Sequence, residues 1–171
     1  MFAVITDIKY KMALAMIRDL AERGITVIAV QSDERGTKTF MEPLGFYSKY
    51  PQKRVWLPNI NQDSAAYVDD LYKLCEALSS QKNEKCVLLP VGAKTLNLLA
   101  EPGTYERFCK VCGLYIPSKE QLDMANDKKQ VTALADKLGI PAPREYAVKL
   151  GQNMEEYFQA VPLPCVVKPI C

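Results

Sequence analysis

The chain contains no histidine and a single tryptophan in 171 residues. Without histidine it lacks the side chain that most readily titrates near neutral pH and most often ligates transition metals. No apolar stretch approaches the roughly 18 residues that a membrane span needs. Lysine and arginine are interleaved with acids, no basic run of five occurs, and the net charge is only +2. A broad nucleic-acid surface or a membrane-binding patch is therefore not indicated. Neither G-x-G-x-x-G nor G-x-x-x-x-G-K-[ST] is present, which argues against the dinucleotide fingerprint and the P-loop. There is no internal repeat and no low-complexity tract. The opening Met1-Phe2-Ala3-Val4-Ile5 lacks a basic leader and its apolar run breaks at Asp7, so no secretory signal is expected and the predicted location is cytoplasmic.

What is present is ordinary for a globular protein: 49% hydrophobic and 25% charged residues. The length suits one full domain and part of another. Six cysteines, Cys75, Cys86, Cys109, Cys112, Cys165 and Cys171, are expected to be reduced thiols rather than a disulfide framework. Cys75 and Cys86 fall on an apolar helix face and at a strand start, where they read as core packing. Cys109-Lys110-Val111-Cys112 is a lone C-x-x-C. A tetrahedral zinc site would need Cys165, Cys75 or a carboxylate to converge on it, so packing is the simpler reading and no metal ligand is assigned.

The order of elements predicts an α/β fold. Apolar runs at 2–6 and 26–30 read as buried strands, and the spacing of Met12, Leu14, Ala15, Ile17, Leu20 and Ala21 predicts a helix between them, ended by Gly24. This strand–helix–strand unit begins a parallel sheet. Residues 31–50 are irregular, with room for a short helix over 37–47 interrupted at Pro43. A third strand is expected at 54–58 and a long helix at 64–78, capped by Asp63 or Ser64. A fourth strand follows at 86–89 and a helix at 94–100. From Pro117 the texture changes. Ser118-Lys119-Glu120-Gln121 offers a capped helix start. A second helix is expected over 127–138, with Val131, Leu134, Ala135 and Leu138 facing inward and Gly139 ending it. A strand at 144–148, a helix at 154–160 and a strand at 165–168 complete a fragment too small to bury a core of its own. The predicted organisation is a Rossmann-like open parallel sheet over 1–116 and the start of a smaller α+β unit over 117–171.

In an open parallel sheet, ligands bind outside the carboxyl ends of the strands. That rule selects the loop of Asp7 and Lys9, the loop Gln31-Ser32-Asp33, and Pro90-Val91-Gly92-Ala93-Lys94-Thr95, where a helix N-terminus could take an anion. Turn and capping chemistry is the competing reading of the same loops. Asp7, Lys9, Gly92 and Lys94 are the candidate substrate contacts. Two further lysines suit a polyphosphate, because each supplies a mobile positive charge. Lys128 opens the helix over 127–138. Lys168 ends Pro164-Cys165-Val166-Val167, a run apolar enough to predict a buried strand, and a lysine there needs an anionic partner or a route to water. A wet helix face is the competing reading of Lys128-Lys129.

Leu88-Leu89-Pro90-Val91-Gly92, Ile116-Pro117-Ser118, Asn126-Asp127-Lys128, Leu138-Gly139-Ile140-Pro141-Ala142-Pro143 and Val166-Val167-Lys168-Pro169 stand in an order and spacing that resembles the ATP-grasp superfamily. That superfamily includes the carbamoyl phosphate synthetase large chain, biotin carboxylase and carboxylate–amine ligases. The resemblance covers the whole chain. It implies that 1–116 is the Rossmann-like domain preceding the grasp and that 117–171 begins the grasp. It also implies that Lys128 and Lys168 contact ATP phosphates. The implied reaction activates a small-molecule carboxylate as an acyl phosphate for attack by an amine or another nucleophile. Magnesium is implied as cofactor, with ligands beyond residue 171, and a homodimer is possible. The glycine-rich flap, the adenine hinge and the metal ligands of the superfamily have no counterpart in the 171 residues, so no catalytic residue is assigned. Two expectations stand side by side: the N-terminal portion of an ATP-dependent ligase, inactive by itself, or an α/β ligand-binding or assembly module without catalysis.

Overall fold

The computed structural model describes residues 1–171 apart from Thr39, Glu145, 147–150, Gln152, Met154, 156–158, Ala160 and 167–171. The chain divides into two compact units, Met1–Lys119 and Glu120–Cys171.

The first unit is an α/β sandwich around a five-stranded, all-parallel sheet. In chain order it runs β1 (Phe2–Ile5), α1 (Lys11–Glu22), β2 (Thr26–Ser32), α2 (Leu44–Tyr47), β3 (Lys53–Leu57), α3 (Ser64–Lys82), β4 (Cys86–Leu89), α4 (Ala93–Ala100), α5 (Pro102–Val111) and β5 (Cys112–Leu114). The strands lie in the order β3-β2-β1-β4-β5. The chain thus builds outward from β1 to β3, then returns to the other side of β1 for β4 and β5. The reversal puts a topological switch point between β1 and β4.

Burial explains why the strands are apolar without alternation. All four residues of β1 are buried, because helices cover both faces of the sheet. On one face Val4, Ile28, Val30, Leu57 and Leu88 pack with Tyr67, Leu71 and Cys75 of α3 and Phe108 of α5. On the other, Ile5, Val27 and Ala29 pack with Ala13 and Ile17 of α1. Helix ends obey local chemistry. Gly24, at φ +78°, closes α1 with a paired motif in which the Ile25 N–H reaches the Leu20 carbonyl and the Gly24 N–H reaches that of Ala21, both at 3.0 Å. Asp63 caps α3 by accepting from the Ala66 N–H at 2.8 Å.

The sequence does not announce α5 and β5. Pro102 sits at the start of α5, where its missing N–H costs nothing, but β5 is only three residues long. The expected short helix near Pro43 is the single turn α2, which begins after that proline.

The second unit contains α6 (Lys119–Asn126), which starts at the boundary, and α7 (Lys128–Lys137). Here the expected burial is corrected. No residue of α7 is buried, and Val131, Leu134 and Leu138 are 44%, 41% and 62% exposed. An amphipathic stripe is covered only where an opposing layer exists, and a unit this small has too little chain to supply one. The expected strands at 144–148 and 165–168 and the helix at 154–160 fall largely outside the described residues. Of the run before Lys168, Cys165 and Val166 are described, and both are exposed and outside any strand, which corrects the expectation of a buried run at those two positions.

Candidate functional site

At the switch point the loop after β1 meets the loop after β4, and the contact is made by a carboxylate. Asp7 holds a left-handed φ of +55°, which aspartate tolerates better than most residues. Its Oδ2 accepts from the Gly92 N–H at 2.9 Å and from the Thr6 hydroxyl. Its Oδ1 accepts from the Thr95 hydroxyl at 3.1 Å. Thr95 spends its proton on Asp7, so the Tyr67 hydroxyl, 3.3 Å away, donates to Thr95. The Val91 N–H donates to Thr6 Oγ1 at 3.4 Å. Thr6 and Thr95 are fully buried, and Asp7 and Tyr67 nearly so. Burial, reinforced by the Asp7 charge, pushes the Tyr67 phenol well above its ordinary value, so Tyr67 stays a neutral donor.

This network occupies the N-terminus of α4, where a parallel sheet would offer backbone N–H groups to an anion. Asp7 supplies that anion from within the chain. A Cβ at Gly92 would lie 2.5 Å from the Asp7 carboxyl, so the close approach requires glycine.

One strand over, the loop after β2 is tied to the loop after β1 by a second polar cluster. Lys9 Nζ lies 2.8 Å from both carboxylate oxygens of Glu34, with side-chain exposures of 15% and 8%. The Lys9 N–H donates to Gln31 Oε1 at 3.1 Å, and Ser32 Oγ accepts from the Ile60 N–H at 2.9 Å. Farther out, Arg35 forks onto Asp33 at 2.9 and 2.6 Å and stacks on the Trp56 ring at 4.7 Å. The Arg35 hydrogen bond holds the Asp33 carboxyl below its ordinary value. Asp33 and Arg35 line an open depression with Pro58, Asn59 and Gln62.

Of the residues singled out from sequence, Asp7 and Gly92 come together in one contact. Lys9 turns to Glu34, and Lys94 lies exposed with its Nζ 2.8 Å from Asn61 Oδ1. Lys128 is the first residue of α7, in the other compact unit. The preceding Asp127 caps that helix, its Oδ1 accepting from the Lys129 N–H at 2.9 Å and the Gln130 N–H at 3.3 Å. Lys168 lies outside the described residues. Sequence reasoning missed Thr6, Glu34, Tyr67 and Thr95 as members of buried polar networks. A signal existed for Thr6, which continues the apolar run of β1 without a break. Among the described residues no cluster of three or more cysteines, aspartates or glutamates could hold a metal ion.

No family model matches the chain, and no curated protein does. Solved structures do. One is the biotin carboxylase domain of a single-chain bacterial carboxylase, with a TM-score of 0.51 at 22% identity over 94% of this chain and 34% of that one. Another is an L-amino acid ligase from Bacillus licheniformis, with a TM-score of 0.52 at 13% identity over 83% of this chain and 29% of that one. This chain shares its fold with both. The chain spans about a third of the length of these structures. At such identities the likeness is one of fold, so the chemistry of these two proteins is not thereby that of this chain.

Proposed function

We propose that the chain is part of an ATP-dependent ligase that activates a small-molecule carboxylate as an acyl phosphate for attack by an amine or another nucleophile. The observation that carries this reading is the fold itself, an all-parallel sheet in the order β3-β2-β1-β4-β5 followed by a second unit whose helix α7 begins at Lys128. In this reading 1–116 precedes the grasp and 117–171 begins it.

The phosphates are the part of the nucleotide to which residues of this chain are assigned. Asp127 takes the Lys129 and Gln130 N–H groups at the start of α7, which leaves that helix N-terminus less to offer an anion. The Lys128 ammonium is what this element offers to a phosphate oxygen, and Lys168 is assigned as its counterpart. Bound ATP supplies the phosphoryl group that activates the acid. No described residue is assigned to magnesium. Asp7 and Gly92 position the loops at the carboxyl edge, Lys9 is committed to Glu34, and Lys94, exposed at the start of α4, is the cation assigned to the acid substrate. Two lysines attract phosphate but neither position magnesium nor stabilise a transferring group, so the 171 residues alone are assigned no turnover. A cytoplasmic setting and a possible homodimer belong to the same reading, with neither nucleic acid nor membrane as a partner. No helix among the described residues is long and apolar enough to cross a membrane.

The test is an acyl-phosphate trap. The natural protein containing this chain is incubated with ATP, magnesium, hydroxylamine and a panel of carboxylic acids. ATP-dependent hydroxamate with at least one acid is expected. The second reading, an assembly or ligand-binding module, is favoured by the sealed switch point, and it gains if ATP neither binds nor supports hydroxamate with any acid.

A further inference from the structure

Three thiols that the proposed ligase chemistry does not use meet in the larger core. Cys86 and Cys112 are direct partners in the parallel ladder of β4 and β5. Partners in register point to the same face, and both side chains are buried in one cluster with Cys75 of α3. Adjacent strands hold such Cα atoms about 4.8 Å apart, within the range a disulfide spans. The backbone here is pinned by one hydroxyl: Ser79 Oγ accepts from the Cys86 N–H at 2.9 Å and donates to the Val111 carbonyl, next to Cys112, at 2.7 Å. Ser79 and Val111 also line a surface depression of about 280 Å³ with Glu76, Ser80, Asn83, Glu84, Lys85 and Lys110. The residues that pin the pair's backbone thus face this depression, while both thiols are buried.

We propose that Cys86 and Cys112 are a modification site at which a hydroperoxide forms a reversible disulfide between β4 and β5. Their burial selects a small, uncharged oxidant over a peptide disulfide. The Cys86 sulfur, as thiolate, attacks one oxygen of hydrogen peroxide. The O–O bond breaks, a sulfenic acid forms, and the departing hydroxide takes a proton to become water. The Cys112 sulfur then attacks the Cys86 sulfur. The S–O bond breaks, and a second water leaves with the Cys112 proton. Two thiols are oxidised by two electrons and one peroxide is reduced to two waters. Cys86 is the attacking member because its thiol is held more loosely, donating to the Cys75 carbonyl at 3.6 Å where Cys112 donates to the Phe108 carbonyl at 3.3 Å; the neighbouring Cys75 thiol also lowers the Cys86 thiol from its ordinary value. Cys75 is pushed the other way by the neighbouring Cys112 and Cys86 thiols and by burial, and stays protonated. Cys109, the other half of the C-x-x-C, lies in α5 outside the β4–β5 ladder and is not the expected partner.

The experiment treats the intact 171-residue chain with hydrogen peroxide, blocks free thiols, and maps peptides without reductant. A Cys86–Cys112 peptide, lighter by two hydrogens and restored by dithiothreitol, is expected. A Cys109–Cys112 or Cys75-linked product in its place, or oxygen addition alone with no cross-link, overturns the proposal. Cys109→Ser should leave the yield unchanged. Ser79→Ala should slow cross-linking severalfold while exposed Cys165 reacts at its normal rate, which separates loss of positioning from general unfolding.

Discussion

The carboxylate of Asp7 occupies the place where a side chain at Gly92 would begin: a Cβ there would meet Asp7 Cγ and Oδ1 at 2.5 Å. Two loops 85 residues apart in sequence are joined by this contact at the switch point of the sheet. Gly92→Ala is therefore expected to cost about 1–3 kcal/mol, the range for forcing an extra methyl into a packed site. Asp7→Ala removes the acceptor of the Thr6 hydroxyl, the Thr95 hydroxyl and the Gly92 N–H together. It should cost at least as much, because each buried donor left unpaired costs about 1–3 kcal/mol. The double variant should be less damaging than the sum, since the alanine at 92 then has no carboxylate to meet. Urea denaturation of the four proteins checks this, and strict additivity would refute it.

A second prediction concerns Lys9 and Glu34. Both are largely buried, and neither carboxylate oxygen of Glu34 is more than 2.8 Å from the ammonium. Lys9→Ala strands a buried carboxylate and should destabilise by roughly 3 kcal/mol. Lys9→Met combined with Glu34→Leu removes both charges and should recover most of that loss, because desolvation of the pair is abolished with it. Thermal unfolding of single and double variants decides; a double variant worse than Lys9→Ala would show that the pair is held for more than charge balance.

The strands and most helices of the first unit were legible in the sequence because each buried strand is an apolar run with a polar break after it. Phe2 to Ile5 and Cys86 to Leu89 are found where the pattern puts them. The pattern fails where length fails. Cys112 to Leu114 is too short to carry a period, and its membership in the sheet is fixed by pairing with β4. It fails again at Val131, Leu134 and Leu138, whose helical spacing is real but whose covering layer is not encoded locally. The candidate site was only half legible. Asp7, Lys9 and Gly92 stand out as polar or small residues at strand ends, but spacing cannot reveal that Asp7 would reach Gly92 and Lys9 would turn to Glu34. Those partners come from other strands.

The cap of α7 makes a third prediction, in pH. The Gln130 side chain, then the backbone N–H groups, hold the Asp127 carboxyl below its ordinary value of 3.8. A carboxyl with a lowered folded value stabilises fully above its unfolded value. It loses that contribution as pH falls through the folded one. Amide protection at Lys129 and Gln130 should thus hold at neutral pH and fade below about pH 4. Asp127→Asn keeps a capping oxygen and should flatten the dependence. Hydrogen exchange across that pH range is the measurement, and an unchanged acid dependence in the asparagine variant would assign the effect elsewhere.

The last prediction separates the assigned phosphate contacts from their neighbours. Lys128 is the first residue of α7, and Lys129 follows it, about 100° further round the helix. The Lys129 N–H is already committed to Asp127 Oδ1 at 2.9 Å, which fixes the start of the helix and so the sides from which the two side chains leave it. If Lys128 faces the polyphosphate, Lys129 does not. In the natural protein containing this chain, Lys128→Ala should therefore weaken ATP binding about ten- to a hundredfold, the loss of one charge-assisted contact. Lys129→Ala should leave binding near normal. Lys168→Ala should resemble Lys128→Ala, because both are assigned to the same phosphates. Titration of the three variants with nucleotide at one ionic strength reads the pattern, since screening alters all charge contacts together. Damage confined to Lys129→Ala would place the wrong lysine at the phosphate and remove the support that the start of α7 lends to the ligase reading.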